Sequence, residues 1–461
     1  MNQSSGNDPI PNHVDESGSE PRSRARVTLS AWLCSGAIIA YLCRNSLAVA
    51  EKTIRLDLEI SEEMMGFILG PAFFWSYALF QIPGGLLGKK FGSRLWLPVF
   101  SAVSASATML LAVAGGTAAL LAARIGTGVA QAGQFPCSAI AMTKWFPRGE
   151  RALSSGLLGA SMSVGGAIGA ALTGELLEIT SWRWTMALYA IPGLIWAVGF
   201  RLWFRETPAE HPAANPEEVA YIRDDGDRSE NSSLDNGIDS EPPDSNVSWL
   251  LLVLRMSFWL ICGQQFFRAA GYAFFSSWFA TYLQETRNVS TAESGWLLTI
   301  PLIASVLAAV LGGGASDFVY RRTGSLTLAR SGLASGSLLI CAGLVFSAWF
   351  VRDATVATII ISAGAFCAAV AGPCAYASSM DLGGKNVALV FSWMNMIGNF
   401  GAGLLPWVVP RFRTFVDETP ALLSLCQENS WNAVLILFGA MFLLASACWA
   451  LLRVRENELE F

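Results

Sequence analysis

Three arginines stand inside long apolar stretches: Arg44, Arg124 and Arg268. A charge at depth in a bilayer costs at least ~2.5–3.5 kcal/mol on insertion scales. Nearly all of the 35 acids fall in loops or at helix ends, with Glu175 the deepest, so no carboxylate partner is evident for these cations. The chemistry implied is a watery cavity of positive potential that holds an anion. A guanidinium fork grips carboxylate or phosphate through two parallel hydrogen bonds. Polar groups at helical spacing accompany the arginines: Tyr77 with Gln81, Gln131 with Gln134, Tyr272 one turn beyond Arg268, and Asn395 with Asn399. They could orient a hydroxylated anion. The alternative is hydrogen bonding between helices, worth ~0.6 kcal/mol on average, and this is the preferred reading for Gln134 and Asn399. The two histidines, His13 and His211, lie in polar segments expected to be disordered. No His-based metal site, catalytic constellation or cofactor is therefore expected, and the chain is not read as an enzyme.

The elements that hold these groups follow from composition. Of 461 residues, 53% are hydrophobic and 14% charged, and mean hydropathy is +0.45. A soluble domain carries about 25% charged residues, so a soluble single-core enzyme is excluded. Continuous apolar runs, rather than alternating ones, argue against a β-barrel. Twelve runs, from 27–50 to 431–452, are long enough for helices that need ~20 apolar residues. Gly84-Gly85-Leu86-Leu87-Gly88-Lys89 closes the second run, and Gly312-Gly313-Gly314-Ala315-Ser316-Asp317 closes the eighth, half a chain later. The expected fold is an all-α membrane protein of twelve transmembrane helices in two six-helix halves, a plan that places a binding site between the repeats.

The predicted organisation is a disordered cytoplasmic tail over 1–26, a six-helix bundle over 27–204, an acidic disordered linker over 205–247, a second bundle over 248–452 and a tail over 453–461. The linker holds twelve acids against three arginines, with Pro208, Pro212, Pro216, Pro242 and Pro243, a composition that cannot bury a core. Outside the three arginines, twenty lysines and arginines fall on one face and seven on the other. That places both termini and the linker in the cytoplasm of a cell (inner) membrane protein. The first 25 residues contain no apolar core of a signal peptide. Eight of nine cysteines lie in apolar runs and Cys426 in a loop, so no loop-to-loop disulfide is expected. In the fifth run Gly156, Gly159, Gly165, Gly166, Gly169 and Gly174 should permit close helix contact.

Several stretches resemble a known family. They are Tyr41-Leu42-Cys43-Arg44-Asn45-Ser46, Trp75-Ser76-Tyr77-Ala78-Leu79-Phe80-Gln81-Ile82-Pro83-Gly84-Gly85, Arg124-Ile125-Gly126-Thr127-Gly128, Trp145-Phe146-Pro147-Arg148-Gly149-Glu150-Arg151, Trp182-Arg183-Trp184 and Glu206-Thr207-Pro208-Ala209-Glu210-His211-Pro212. Together the chain resembles the major facilitator superfamily and, within it, the anion:cation symporter family, which includes bacterial sugar-acid transporters. The resemblance implies a substrate-recognising role for Arg44, a substrate-binding asparagine at Asn395 and a seventh-helix arginine at Arg268. Arg124 matches a fourth-helix arginine read as packing or gating. Three departures matter. Lys89 stands where the loop motif carries an aspartate, whereas the second copy keeps Asp317, able to pair with Arg321, Arg322 or Arg330. Cys43 and Gln131 stand where relatives carry acids linked to proton coupling. An amide does not titrate in this range and a buried thiol stays neutral, so proton coupling is expected to be weak or absent. Glu175 and Glu51, both peripheral on this reading, are the remaining candidates.

The reading is a secondary transporter of small organic anions, with sugar acids (hexuronate, aldonate or aldarate) as substrate. The alternative is a nutrient-sensing receptor on the same fold. Expected partners are the anion, the lipid bilayer and, for a symporter, a coupling ion. The net charge of −5 carries no nucleic-acid signal, and a monomer is expected.

Overall fold

Apolar segments in a bilayer must satisfy their backbone polar groups internally, and the helix does so within one segment. The computed structural model describes residues 23–222, 254–351, 353–383, 386–455 and 458–459. The first half contains α1 (Ala25–Asp57), α2 (Glu62–Leu69), α3 (Pro71–Phe91), α4 (Ser93–Ala112), α5 (Thr117–Trp145), α6 (Arg148–Ile179) and α7 (Trp182–Trp203). The second contains α8 (Met256–Ala273), α9 (Phe279–Thr286), α10 (Thr291–Thr323), α11 (Leu333–Ser347), α12 (Ala354–Gly383), α13 (Val387–Asp417), α14 (Pro420–Leu425) and α15 (Ser430–Leu451). With α2–α3 and α8–α9 each forming one broken span, and α14 outside, twelve spans result. Nine are long and apolar enough to cross a membrane by length and composition alone, among the described residues. The other three are α5, α8–α9 and α13, which carry Arg124, Arg268 and Asn395 respectively.

The duplication read from the glycine pairs is a packing fact. In the first half α1 packs on α6, α2–α3 on α5, and α4 on α7; in the second α8 packs on α13, α10 on α12, and α11 on α15. Numbered by span, the pairs 1·5, 2·4 and 3·6 recur as 7·11, 8·10 and 9·12. The glycines show why. A Cβ on Gly84 would come within 2.7 Å of the Gly133 backbone, and one on Gly312 within 2.9 Å of the Val370 backbone. Their neighbours Gly85 and Gly313 face Pro136 and Pro373 in the same way. The halves meet along α6 with α10 and along α2–α3 with α13, again a symmetric exchange of spans 5·8 and 2·11.

Each span turns one stripe inward. In α7, Tyr189, Gly193, Trp196 and Phe200 are buried at three- and four-residue spacing, while Ile191, Ile195, Val198 and Leu202 face outward. Of the α6 glycines, Gly165 and Gly169 abut the backbone of Ile38 and Leu42, Gly166 abuts Asn45, and Gly174 abuts Ala292 of the other half. Gly156 and Gly159 depart from expectation: nothing lies within 4 Å of a Cβ built on either.

The linker and tails need correction. Residues 205–222 are packed rather than disordered, and 223–247 lie outside the described residues. His211 is buried against the rings of Trp145 (5.4 Å) and Trp203 (4.6 Å). Burial pushes its imidazole below the ordinary histidine value. Glu218 is fully buried; Ser23, Ala25 and Arg26 donate to its carboxylate, and Arg26 also pairs with Glu150 at 2.9 Å. Linker and first helix are thus fastened together beneath the first bundle, because a buried carboxylate is stable only when hydrogen-bonded and paired. At the other terminus the Leu459 N–H donates to the Leu382 carbonyl at 2.8 Å, which docks that residue on the second bundle. Residues 1–22, with His13, lie outside the described set. Cys426 caps α14 and is buried.

Candidate functional site

Between the halves lies a cavity of about 370 Å³. Helix α1 contributes Tyr41, Arg44 and Asn45 to it; α8 contributes Gln265, Arg268 and Tyr272; α10 contributes Ser305; α13 contributes Asn395 and Asn399. Arg44 and Arg268 therefore reach one space from opposite halves, and no carboxylate is among the residues lining it.

Arg44 makes no ion pair among the described residues. Its guanidinium is framed by aromatic faces, with centroids of Phe73 at 4.4 Å, Phe74 at 4.9 Å, Tyr41 at 5.1 Å and Tyr77 at 5.8 Å. Cation–π contacts stabilise the charge while leaving its N–H groups free for a ligand. Arg124 packs on the same ring, 4.6 Å from the Phe73 centroid, and is buried and not among the residues lining the cavity. That position suits a packing role. Arg268 donates to Gln265 at 2.9 Å, one turn back on its helix, and its buried Nε has no partner.

The polar companions divide. Asn395 donates to Gln81 at 2.8 Å, a hydrogen bond between the halves at the cavity wall. Tyr272 donates to the Ala365 carbonyl at 2.5 Å and meets Ser305 at 3.3 Å. Its hydroxyl is thus already fixed to the second bundle. Gln131 departs most from expectation: its amide donates to the Ala40 carbonyl at 3.0 Å and to Ser104 at 3.4 Å. It ties α5 to α1 and α4, and it lines a side pocket of about 40 Å³ within the first bundle, together with Tyr41, Arg44, Tyr77 and Gln134. Cys43 is buried with its thiol toward the Tyr189 carbonyl, 3.5 Å away, not toward the large cavity.

One end of the site is shut by charge. At the end bearing residues 51–63, Arg55 of the first half meets Glu285 of the second at 3.4 Å, and Lys52 reaches the same carboxylate at 4.0 Å. Arg411 and Arg413 of α13 pair with Glu63 and Glu62 of α2. Thr281 donates to Glu51 at 2.5 Å, and Trp296 to Glu175 at 2.7 Å. Glu51 is therefore not peripheral. It is fully buried, held by Arg55 at 2.7 Å and by Thr281 of the opposite half. Below this lattice Gly70 abuts the Gly403 carbonyl and Gly174 abuts Ala292. Past Gln81–Asn395, toward the end holding the termini, none of the described hydrogen bonds or ion pairs crosses between halves. On that side no described contact closes the cavity, and Gly156 and Gly159 lie uncovered.

The residues read as gate elements sit at the open end. Asp317 pairs with Arg330 at 3.3 Å, and Arg330 also holds Asp381 at 3.2 Å and Ser316 at 2.6 Å. All four belong to the second half. Arg321 is exposed and makes no ion pair among the described residues. Lys89 is exposed likewise, and the acid missing there comes from the linker. Glu206 accepts from the N–H groups of Ser93 (3.2 Å) and Arg94 (3.0 Å) at the start of α4, and from Lys144 at 2.6 Å. Burial opposes its ionisation, but the lysine and the two backbone donors outweigh that and hold the carboxyl below its usual range. Gly92, at φ +87°, carries the chain between α3 and α4, where a side chain would meet that carboxylate.

Comparison with known proteins agrees with this architecture. Residues 33–406 and 261–460 match a family model described as Major Facilitator Superfamily. A Cupriavidus necator protein named "probable sulfoacetate transporter" is 29% identical over 412 residues, covering 87% of this chain and 91% of that relative. The D-galactonate transporter of Escherichia coli is 30% identical over 295 residues, covering 64% and 67%. The hexuronate transporter of Bacillus subtilis is 28% identical, covering 85% and 90%. Among solved structures, a bacterial homolog of the human lysosomal transporter Spinster, inward-facing and occupied, superposes with a TM-score of 0.73 at 17% identity, covering 94% of this chain and 97% of that one.

Proposed function

The chain belongs to the major facilitator superfamily, and from that premise we propose that it is a secondary transporter of small organic anions, with sugar acids as its substrate class, working by alternating access. The observation that carries the reading is Arg44: a guanidinium framed by four aromatic rings, without a counter-ion among the described residues, presented to a cavity between the halves. The relatives support the class, since hexuronate, galactonate and sulfoacetate are all small organic anions. A nutrient-sensing receptor has no such support. Enzyme chemistry is foreign to this family.

Positive-inside asymmetry puts the termini, and so the open end, in the cytoplasm of an inner membrane. The state described is then open to the cytoplasm and sealed outside by the Arg55–Glu285 and Arg413–Glu62 lattice. Arg44 binds a carboxylate bidentately, Arg268 and its Gln265 receive the distal part of the anion, Asn395, tied to Gln81, orients hydroxyls, and Tyr77 helps frame Arg44. Substrate drawing Arg44 and Arg268 together would pull the halves in at the open end, bringing Gly156 and Gly159 against a neighbouring helix and straining the outer lattice. Proton coupling is weak on this account, because neither Cys43 nor Gln131 offers a titrating carboxyl and Glu51 is locked into the outer lattice. The test is uptake of labelled hexuronate, aldonate and aldarate into proteoliposomes. Saturable uptake of at least one supports transport; specific binding without flux would favour a receptor.

A further inference from the structure

Charge balance in the cavity constrains what can move through it and how the empty carrier returns. Arg44 and Arg268 line one space, one from each half, with no carboxylate in its wall. Arg124, packed on Phe73, is not among the residues lining this space, so the balance concerns Arg44 and Arg268. Where the described structure does bury carboxylates, they are spent elsewhere: Glu51 on Arg55 and Thr281, Glu218 on Arg26 and Ser23. Nothing built into the wall can swing over to neutralise the cavity pair.

While the cavity is open, water solvates both guanidinium groups. Alternating access requires an intermediate sealed at both ends, and there that solvent is lost. On insertion scales each charge moved to the bilayer centre is disfavoured about a hundredfold. An empty carrier would pass through this intermediate with two uncompensated charges. A bound proton or sodium ion would add a third and find no acid to sit on. A monoanion cancels one charge. A small molecule with an anionic group at each end cancels both, placing one group on Arg44 and the other on Arg268.

We propose that this transporter is an exchanger of organic dianions, each terminal anionic group held by the arginine of one half, and that the reorientation step runs only with anion bound. The inference rests on the transport reading and refines it in substrate class and mode. Tyr41, Phe73, Phe74 and Tyr77 make the Arg44 end stiff and aromatic. The Arg268 end, with its unpartnered Nε and the adjacent Gln265, is the more adaptable receptor for the second group.

The experiment uses the full chain in proteoliposomes with a labelled aldarate and a labelled hexuronate, each offered to vesicles empty of organic anion and to vesicles preloaded with unlabelled aldarate. The expected result is aldarate entry at least about tenfold faster into preloaded vesicles, with hexuronate exchange at least about tenfold slower than aldarate exchange. Arg268→Gln should narrow or invert the preference toward hexuronate, and Arg268→Lys should keep the dependence on internal anion with weaker apparent affinity. Aldarate entering empty vesicles as fast as loaded ones, or hexuronate exchanging as fast as aldarate, would overturn the proposal and leave transport standing. If neither anion binds or moves in any arm, it is the transport reading that fails. The wild-type comparison decides the matter even if an Arg268 variant does not fold.

Discussion

Replacing Glu285 by glutamine should release the sealed end of the carrier. Glu285 accepts from Trp431 at 2.9 Å within its own half and faces Arg55 at 3.4 Å and Lys52 at 4.0 Å across the interface. Glutamine keeps the side-chain size and the acceptor for Trp431 while removing the charge that holds Arg55 and Lys52 across the interface, and Arg413 at 3.5 Å within the same half. A pair at 4 Å attracts by ~4 kcal/mol at an effective dielectric of 20, before desolvation is counted. These side chains retain 15–34% exposure, so measured values for exposed pairs, ~0.2–1 kcal/mol each, are the better guide. Two contacts then contribute about 0.4–2 kcal/mol, which is about 2–30-fold in the equilibrium between the sealed and open outer end. Arg411–Glu63, Arg413–Glu62 and Thr281–Glu51 remain, so the variant should shift the balance without abolishing the sealed state. Spin labels at the exposed positions 59 and 418, one on each half, read the separation directly by dipolar spectroscopy. A long-distance population that grows about 2–30-fold relative to the short one is expected. An unchanged distribution in Glu285→Gln would mean the lattice does not hold this end shut.

Three further outcomes follow from particular contacts. Gly165→Ala places a methyl 2.3 Å from the Ile38 carbonyl, so thermal stability in detergent should fall as for ~1–3 kcal/mol of overpacking, whereas Gly159→Ala should leave it unchanged. Gln131→Glu sets a carboxylate against the Ala40 carbonyl that the amide now serves, which favours the protonated acid; uptake should become pH-dependent across the physiological range, and a flat profile would remove Gln131 from the coupling argument. His211 is held below its ordinary value, so its contribution to linker docking is fully present above that ordinary value and is lost as pH falls through the lowered one. Protease nicking of the linker should therefore rise in acid, and His211→Phe should abolish the rise.

Much of this architecture is legible in the sequence because bilayer physics leaves few options. Continuous apolar runs must be helices, paired glycines at Gly84 and Gly312 mark equivalent close approaches, and Arg44 and Arg268 among apolar residues announce a polar cavity. What stayed hidden depends on tertiary docking. Glu62, Glu63, Glu285, Arg411 and Arg413 look like ordinary loop-end charges, and only the apposition of the halves turns them into a lattice. Glu51 looks peripheral by position, yet α9 covers it. Gln131 shares a face with Gln134, but helical spacing does not tell a ligand group from an interhelical tie. Gln265, three residues before Arg268, carries the same helical spacing and shares its face. The linker reads as disordered from composition, but Glu206, His211 and Glu218 anchor its first part.

The central claim is that Arg44 clamps the transported anion through a paired fork of hydrogen bonds, and Arg44→Lys tests it most directly. Lysine preserves the charge and the aromatic frame of Phe73, Phe74, Tyr41 and Tyr77 but cannot offer two parallel donors to a carboxylate. The measurement is initial uptake of the best transported sugar acid into proteoliposomes holding equal amounts of folded wild-type and variant protein. A fall of more than about tenfold is predicted, since the loss of one charge-assisted bond amounts to ~1.5–3 kcal/mol. Near-normal uptake by the lysine variant would contradict the clamp and, with it, the assignment of this cavity as the anion site.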